Sequence, residues 1–216
     1  MLDNKKGQTL LHLARAAIGQ ELGFKSHDLP RTAWLEGPGA TFVTLILNGR
    51  LHGCIGSLEA SRPLIDDVRY NAVAAAFQDP RYPALTKEEF ANVILEVALL
   101  SKPERIHFSS EEDALAQLNP GQDGVTLEFA PAGASLANPT GSKTSALATI
   151  SATDNPAPAS QAQLHRATFL PHAWADFPHA RDLLLYLKTQ AGLPGTFWSV
   201  DLKLSRFTIQ KWREGE

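Results

Sequence analysis

The sequence predicts an α+β fold, a mixed and largely antiparallel sheet with flanking helices. Three observations carry that prediction. Strand-like and helix-like runs follow one another without the regular alternation of a doubly wound parallel sheet. An Asn-Gly pair at 48–49 separates two strand-like runs by two residues, the strongest short signal for a tight hairpin. Two longer segments with helical spacing end at glycine or proline, as helices of a layered domain do.

The elements run in chain order. "TLLHLARAAIGQELG" has apolar residues at Leu10, Leu11, Ala14, Ala17 and Ile18, with Gly23 placed to end a helix. "TFVTLIL" reads as a strand, and "RLHGCIG" returns from the turn. With a two-residue loop and no irregularity, pleating puts Phe42, Thr44, Ile46, Leu51, Gly53 and Ile55 on one face. It puts Val43, Leu45, Leu47, Arg50, His52 and Cys54 on the other. "PLIDDVRYNAVAAAFQ" is a helix with Pro63 in its first turn and Asp66 and Asp67 as N-terminal charges. It stops at "DPRYPALT", where Pro80 and Pro83 forbid continuation. Thr86 and Glu89 have the spacing of a capping box for a short helix, "TKEEF".

"VILEVALLS" is a strand, "EEDALAQL" a helical turn or two, and "PGQDGVTLEF" a turn entering a strand. Residues 130–163 are mostly Ala, Ser, Thr and Pro, with Lys143 and Asp154 the charged members. Such a composition buries too little apolar surface to offset the entropy of ordering. It reads as a flexible surface insertion within one domain spanning 1–216. "RATFLP" is then a strand, "HARDLLLYLKTQAGLP" a helix capped at Gly192, and "VDLKLSRFTIQKW" one final alternating strand.

Composition limits function. The 216 residues are 44% hydrophobic and 20% charged with a formal net charge of −3, so there is no basic field for nucleic acid, and no specific nucleic-acid binding is expected. The single cysteine, Cys54, excludes an intrachain disulfide and a cysteine-cluster metal site. No HxH, HExxH or glycine-rich phosphate loop is present, so neither metal nor cofactor is expected. The N-terminal stretch lacks a long apolar core, which predicts a cytoplasmic protein without a membrane span.

The opening for chemistry is "LNGRLHGCIGSL". Two glycines flank Cys54, and glycine in a strand adds no packing, so something approaches the backbone there or the strand bends. Cys54 reads either as a nucleophile with His52 as its neighbour or as a small buried hydrophobe. Gly53 and Gly56 read as the space that a ligand or another chain segment enters. Asp79 and Arg81 read either as an ion pair across the turn or as a guanidinium fork for a carboxylate or phosphate. His172 reads as a pocket residue or a surface histidine at a helix entry.

"LHGCIGSL", "AFQDPRYPALTKEEF", "VALLSKPERI", and "ATFLPHAW" followed by "LKTQAGLP" together resemble the AMMECR-type domain, also called AmmeMemoRadiSam system protein A. The resemblance runs from the first helix to the last strand, apart from the insertion. It implies two unequal lobes with the "GCIG" segment near a cleft between them. It also implies association with a Memo-type protein and a radical S-adenosylmethionine enzyme, with no established reaction. The pattern is broken in two places: His52 stands where the family has arginine, and His172 and Ala173 stand in its "FLPQVW" motif.

Overall fold

The computed structural model describes residues 2–25, 32–131 and 164–215. All but the first two residues of the expected insertion lie outside them. The chain divides into two compact units. One holds residues up to Leu100 together with those from Gln210 onward; the other holds the described residues between Ser101 and Ile209. The architecture is α+β with antiparallel pairing throughout the registered ladders, as the sequence predicts.

In the first unit, α1 (Leu2–Glu21) is longer than its periodic core suggested and ends where Gly23 takes a φ of 80°. A short α2 (Ala33–Glu36) comes next, then β1 (Pro38–Gly39), β2 (Thr41–Leu47), β3 (Arg50–Gly56) and β4 (Arg62–Pro63). The two-residue strands β1 and β4 pair with each other, too briefly to leave a periodic trace in the sequence. Helix α3 (Leu64–Phe77) leads through a loop to β5 (Val93–Leu100). The capping box forms: the Thr86 amide and hydroxyl donate to the Glu89 carboxylate at 3.0 Å, and the Glu89 amide donates back to the hydroxyl at 3.3 Å. It opens a single 3₁₀ turn, Phe90–Asn92, rather than an α-helix.

In the second unit, β6 (Glu104–Ile106) precedes α4 (Glu111–Ala116), whose N-cap Ser110 accepts from the Asp113 amide. Then come β7 (Gly124–Phe129), β8 (His165–Phe169), a 3₁₀ turn at Pro171–Ala175, α5 (Ala180–Gln190) and β9 (Lys203–Phe207). The order in this sheet is β6-β9-β7-β8.

The single final strand expected from alternation is two strands. β9 ends at Phe207, and β10 (Ile209–Arg213) joins the sheet of the first unit, whose order is β10-β5-β2-β3. The burial phase slips at the break: Leu202 and Leu204 are buried at even positions and Phe207 at an odd one. Around it, the Ser101 amide donates to the Thr208 carbonyl at 2.9 Å.

The core of the first unit lies between α1, α3 and one face of its sheet. Leu10, Ala14, Ile18, Val68 and Ala72 pack with Val43, Leu45, Leu95 and Val97, all buried. These are mainly the apolar positions at helical spacing in α1 and the alternate positions of β2 and β5, so the hydrophobic gain follows directly from the sequence pattern.

Candidate functional site

The hairpin tip forms as the Asn-Gly signal requires. Asn48 and Gly49 have φ of 52° and 76°, the left-handed conformations of a type I′ turn, and Leu47 faces Arg50. Farther from the tip the uninterrupted register fails. Ile46 pairs with Leu51 but Leu45 pairs with Gly53, so His52 is the extra residue of a β-bulge.

The bulge overturns the face assignment made from pleating alone. Cys54 stands opposite Thr44 and Gly56 opposite Phe42, while Gly53 and Ile55 lie opposite Leu45 and Val43 on the helix-covered face. A one-residue slip moves every later side chain to the other set of neighbours. The sequence holds a hint of the bulge, because glycine at 53 supplies the permissive backbone that such irregularities favour.

Both glycines are bare because the protein itself uses the space. A Cβ at Gly53 would lie 2.0 Å from the Ala75 carbonyl oxygen of α3. A Cβ at Gly56 would lie 2.2 Å from the Phe42 ring. The close approach expected from the sequence is thus made by another chain segment.

The "DPR" loop closes the outer edge of β3. The Asp79 carboxylate accepts from the Cys54 amide at 2.8 Å, and the Arg81 guanidinium donates to the Cys54 carbonyl at 3.0 Å. The two side chains also pair with each other through two bonds, Nε to Oδ1 at 2.9 Å and Nη2 to Oδ2 at 2.6 Å. A backbone donor and acceptor at a sheet edge are thereby satisfied as a neighbouring strand would satisfy them. The ion pair, one of the two readings open for Asp79 and Arg81, is formed.

Cys54 is half-buried, and its Sγ accepts from the Thr44 hydroxyl at 3.2 Å. Burial pushes its pKa above the ordinary thiol value; the Thr44 bond and Arg81 pull it down, while Asp79 and Glu96 push it up. The net direction is upward, which favours the neutral thiol. Thr44 also stands opposite Glu96 of β5, and Glu96 pairs with Lys211 of β10 at 2.9 Å. Cys54, Thr44, Glu96 and Lys211 therefore form a polar row across all four strands, on the face away from the helices. Sequence reading passed over Thr44 and Glu96 as site residues, although Glu96 is the lone polar residue of β5 and Thr44 interrupts the apolar run of β2.

His52 is 9% exposed, its ring centroid 6.2 Å from that of Tyr82, and its Nε2 has no hydrogen-bond partner among the described residues. No hydrogen bond among the described residues joins it to Cys54. His172 lies on the 3₁₀ turn of the second unit, where it is exposed beside the buried Trp174, whose indole donates to the Asp123 carbonyl at 2.6 Å.

Asp67 proves to be more than an N-terminal helix charge. It is fully buried and accepts from the Thr41 amide and hydroxyl, the Ser57 hydroxyl and the Asn71 amide group at 2.6–3.0 Å, with Arg62 at 3.3 Å. Burial pushes its pKa up against those bonds. Among the described residues no group of three or more His, Cys, Asp or Glu side chains could hold a metal ion, and no helix is long and apolar enough to cross a membrane.

The AMMECR1 family model matches residues 11–212. The chain belongs to the AMMECR1 family. A protein of Saccharolobus islandicus (strain L.S.2.15) is 38% identical to it over 133 residues, and a protein of Sulfurisphaera tokodaii is 35% identical over 138 residues. Each match covers 59% of this chain and 59–60% of the relative, so the chain spans about three-fifths of the length of these relatives. The crystal structure of an uncharacterised protein, PH0010 from Pyrococcus horikoshii, is similar with a TM-score of 0.65 and 25% identity, covering 97% of this chain and 91% of that one.

Proposed function

We propose that this AMMECR1-family protein is a noncatalytic ligand- or protein-binding module, with Cys54 a contact and packing residue. One observation carries the reading: the charged pair beside Cys54 is already engaged inside the protein, and among the described residues no hydrogen bond joins Cys54 to His52. Asp79 and Arg81 are spent on each other and on the Cys54 backbone, and the space beside the two glycines is taken by Ala75 and Phe42. The recognition surface in this reading is the polar row of Cys54, Thr44, Glu96 and Lys211. The partners to try first are Memo-type and radical S-adenosylmethionine proteins, on the strength of the family resemblance.

A second reading keeps Cys54 as the centre of a small-molecule or protein-modifying reaction. It is favoured by the Thr44 hydroxyl bonded to Sγ and by the nearby Arg81, both of which stabilise a thiolate. Thiol reactivity separates the two. In the binding module, iodoacetamide modifies Cys54 slowly at neutral pH, and the rate keeps rising beyond the ordinary free-thiol pKa of about 8.5. Fast alkylation of the folded protein at neutral pH overturns the noncatalytic reading in favour of the second.

A further inference from the structure

A groove of about 150 Å³ opens in the first unit between α1 and the edge strand β10, lined by Asn4, Gln8, Lys211, Trp212 and Arg213. It meets the Cys54 row at a single residue, Lys211. Gly7 explains how the helix and strand come close enough to form it. Gly7 is buried, and a Cβ there would lie 2.2 Å from the Trp212 ring, so the indole rests directly against the bare helix backbone. Asn4 and Gln8 are one helical turn apart and share a side of α1. Lys211 and Arg213, two positions apart on a strand, share a face of β10.

The unpaired charge at the groove is a guanidinium. Among the described residues no carboxylate lines it. Glu96 is paired with Lys211, and the neighbouring Glu214 is taken by Arg15 and by the Leu95 amide. Arg213 is half-buried and has no ion-pair partner among the described residues.

We infer that this groove binds a small organic anion through a carboxylate or phosphate group. The planar guanidinium of Arg213 offers the two-pronged donor that either group accepts, Lys211 keeps further N–H donors beside its Glu96 pair, and Asn4 and Gln8 supply neutral amide donors. Trp212 gives the apolar surface for the rest of the ligand, and the volume is that of a cavity able to hold one aromatic ring. The inference does not depend on the role of Cys54.

The test is calorimetric titration of the full chain with benzoate and with phenyl phosphate at constant ionic strength, with benzyl alcohol as the uncharged control. Saturable one-site binding of either anion and none of the alcohol is expected; which anion binds identifies the acid group. Arg213→Gln weakens that binding about tenfold or more, the loss of one charged hydrogen-bonding group. Gln8→Glu, an exposed change on the opposite element, weakens it through the added negative charge. Absence of saturable binding to both anions overturns the inference. So does unchanged affinity in Arg213→Gln protein that melts at the wild-type temperature.

Discussion

The carboxylate of Asp79 sits 2.8 Å from the amide of Cys54, an acidic side chain standing where the next strand of a sheet would place a carbonyl. Arg81 completes the substitution by donating to the Cys54 carbonyl while gripping Asp79. Burial raises the Asp79 pKa, but the Arg81 guanidinium and the two backbone amides outweigh it, and the net shift is below the ordinary carboxylate value of 3.8. A lowered folded pKa means the pair stabilises the fold above that value, and the contribution is lost as pH falls through the lower folded value. Asp79→Asn is expected to destabilise by about 2–4 kcal/mol near neutral pH, leaving a half-buried guanidinium without its carboxylate. Urea unfolding at a series of pH values should show the wild-type advantage shrinking as the pH falls below the ordinary carboxylate value. An advantage that stays constant into that acid range would show that the carboxylate charge is not what the pair contributes.

The two glycines beside Cys54 differ in what blocks them. At Gly53 the obstacle is a helix carbonyl that moves only with α3; at Gly56 it is a phenyl ring that can swing. Gly53→Ala should therefore cost more than Gly56→Ala. Overpacking sets the scale, about 1–3 kcal/mol for the ring and more for the backbone clash. Phe42→Leu should recover part of the Gly56→Ala loss and none of the Gly53→Ala loss. Denaturant midpoints of the wild type, the single variants and the two double variants decide this, and equal costs at the two glycines would count against the packing seen here.

The hairpin tip, the helix ends and the capping box were legible because each depends on neighbours within four residues. Gly23, Asn48, Gly49, Thr86 and Glu89 act locally, and local rules find them. The face of Cys54 was not legible, because it turns on one bulged residue, His52, whose extra length nothing in an alternating pattern marks. The division of the last strand into β9 and β10 was missed for a similar reason: a one-residue slip of phase between Leu204 and Phe207 is a slight mark for a point where the chain changes sheets. The candidate site was legible in its residues and not in their roles. "GCIG" and "DPR" stood out, but that Asp79 and Arg81 clamp the backbone of Cys54 depends on a contact 25 residues apart.

Phe129 of β7 pairs with His165 of β8, so residues 130–164 connect two adjacent antiparallel strands. Such a connection needs only about two to five residues. Replacing residues 131–163 with a short Gly-containing turn should leave the melting temperature within a few degrees, because loop closure entropy changes slowly with length, about 0.6 kcal/mol per doubling. A large fall in melting temperature on replacement would mean that this stretch contributes packing energy to the fold.

Lys188 is 1% exposed, yet its only ion-pair partner among the described residues is Glu111, at 2.9 Å, with the Trp198 ring centroid 5.3 Å away. In α5 it occupies the next position of the apolar series after Leu184 and Leu187, so the sequence places a lysine at a core position. The ammonium is expensive to bury and the pair returns little beyond that cost, whereas an unpaired buried ammonium is strongly unfavourable. Lys188→Met, which keeps length and apolar character, should thus be near neutral, within about 1 kcal/mol. Glu111→Ala, which strands the lysine, should cost about 2–3 kcal/mol, with a smaller loss in the Lys188→Met background. Equilibrium unfolding of the two single variants and the double variant forms the cycle. If Lys188→Met proves as damaging as Glu111→Ala, the ion pair itself is a main support of the second unit.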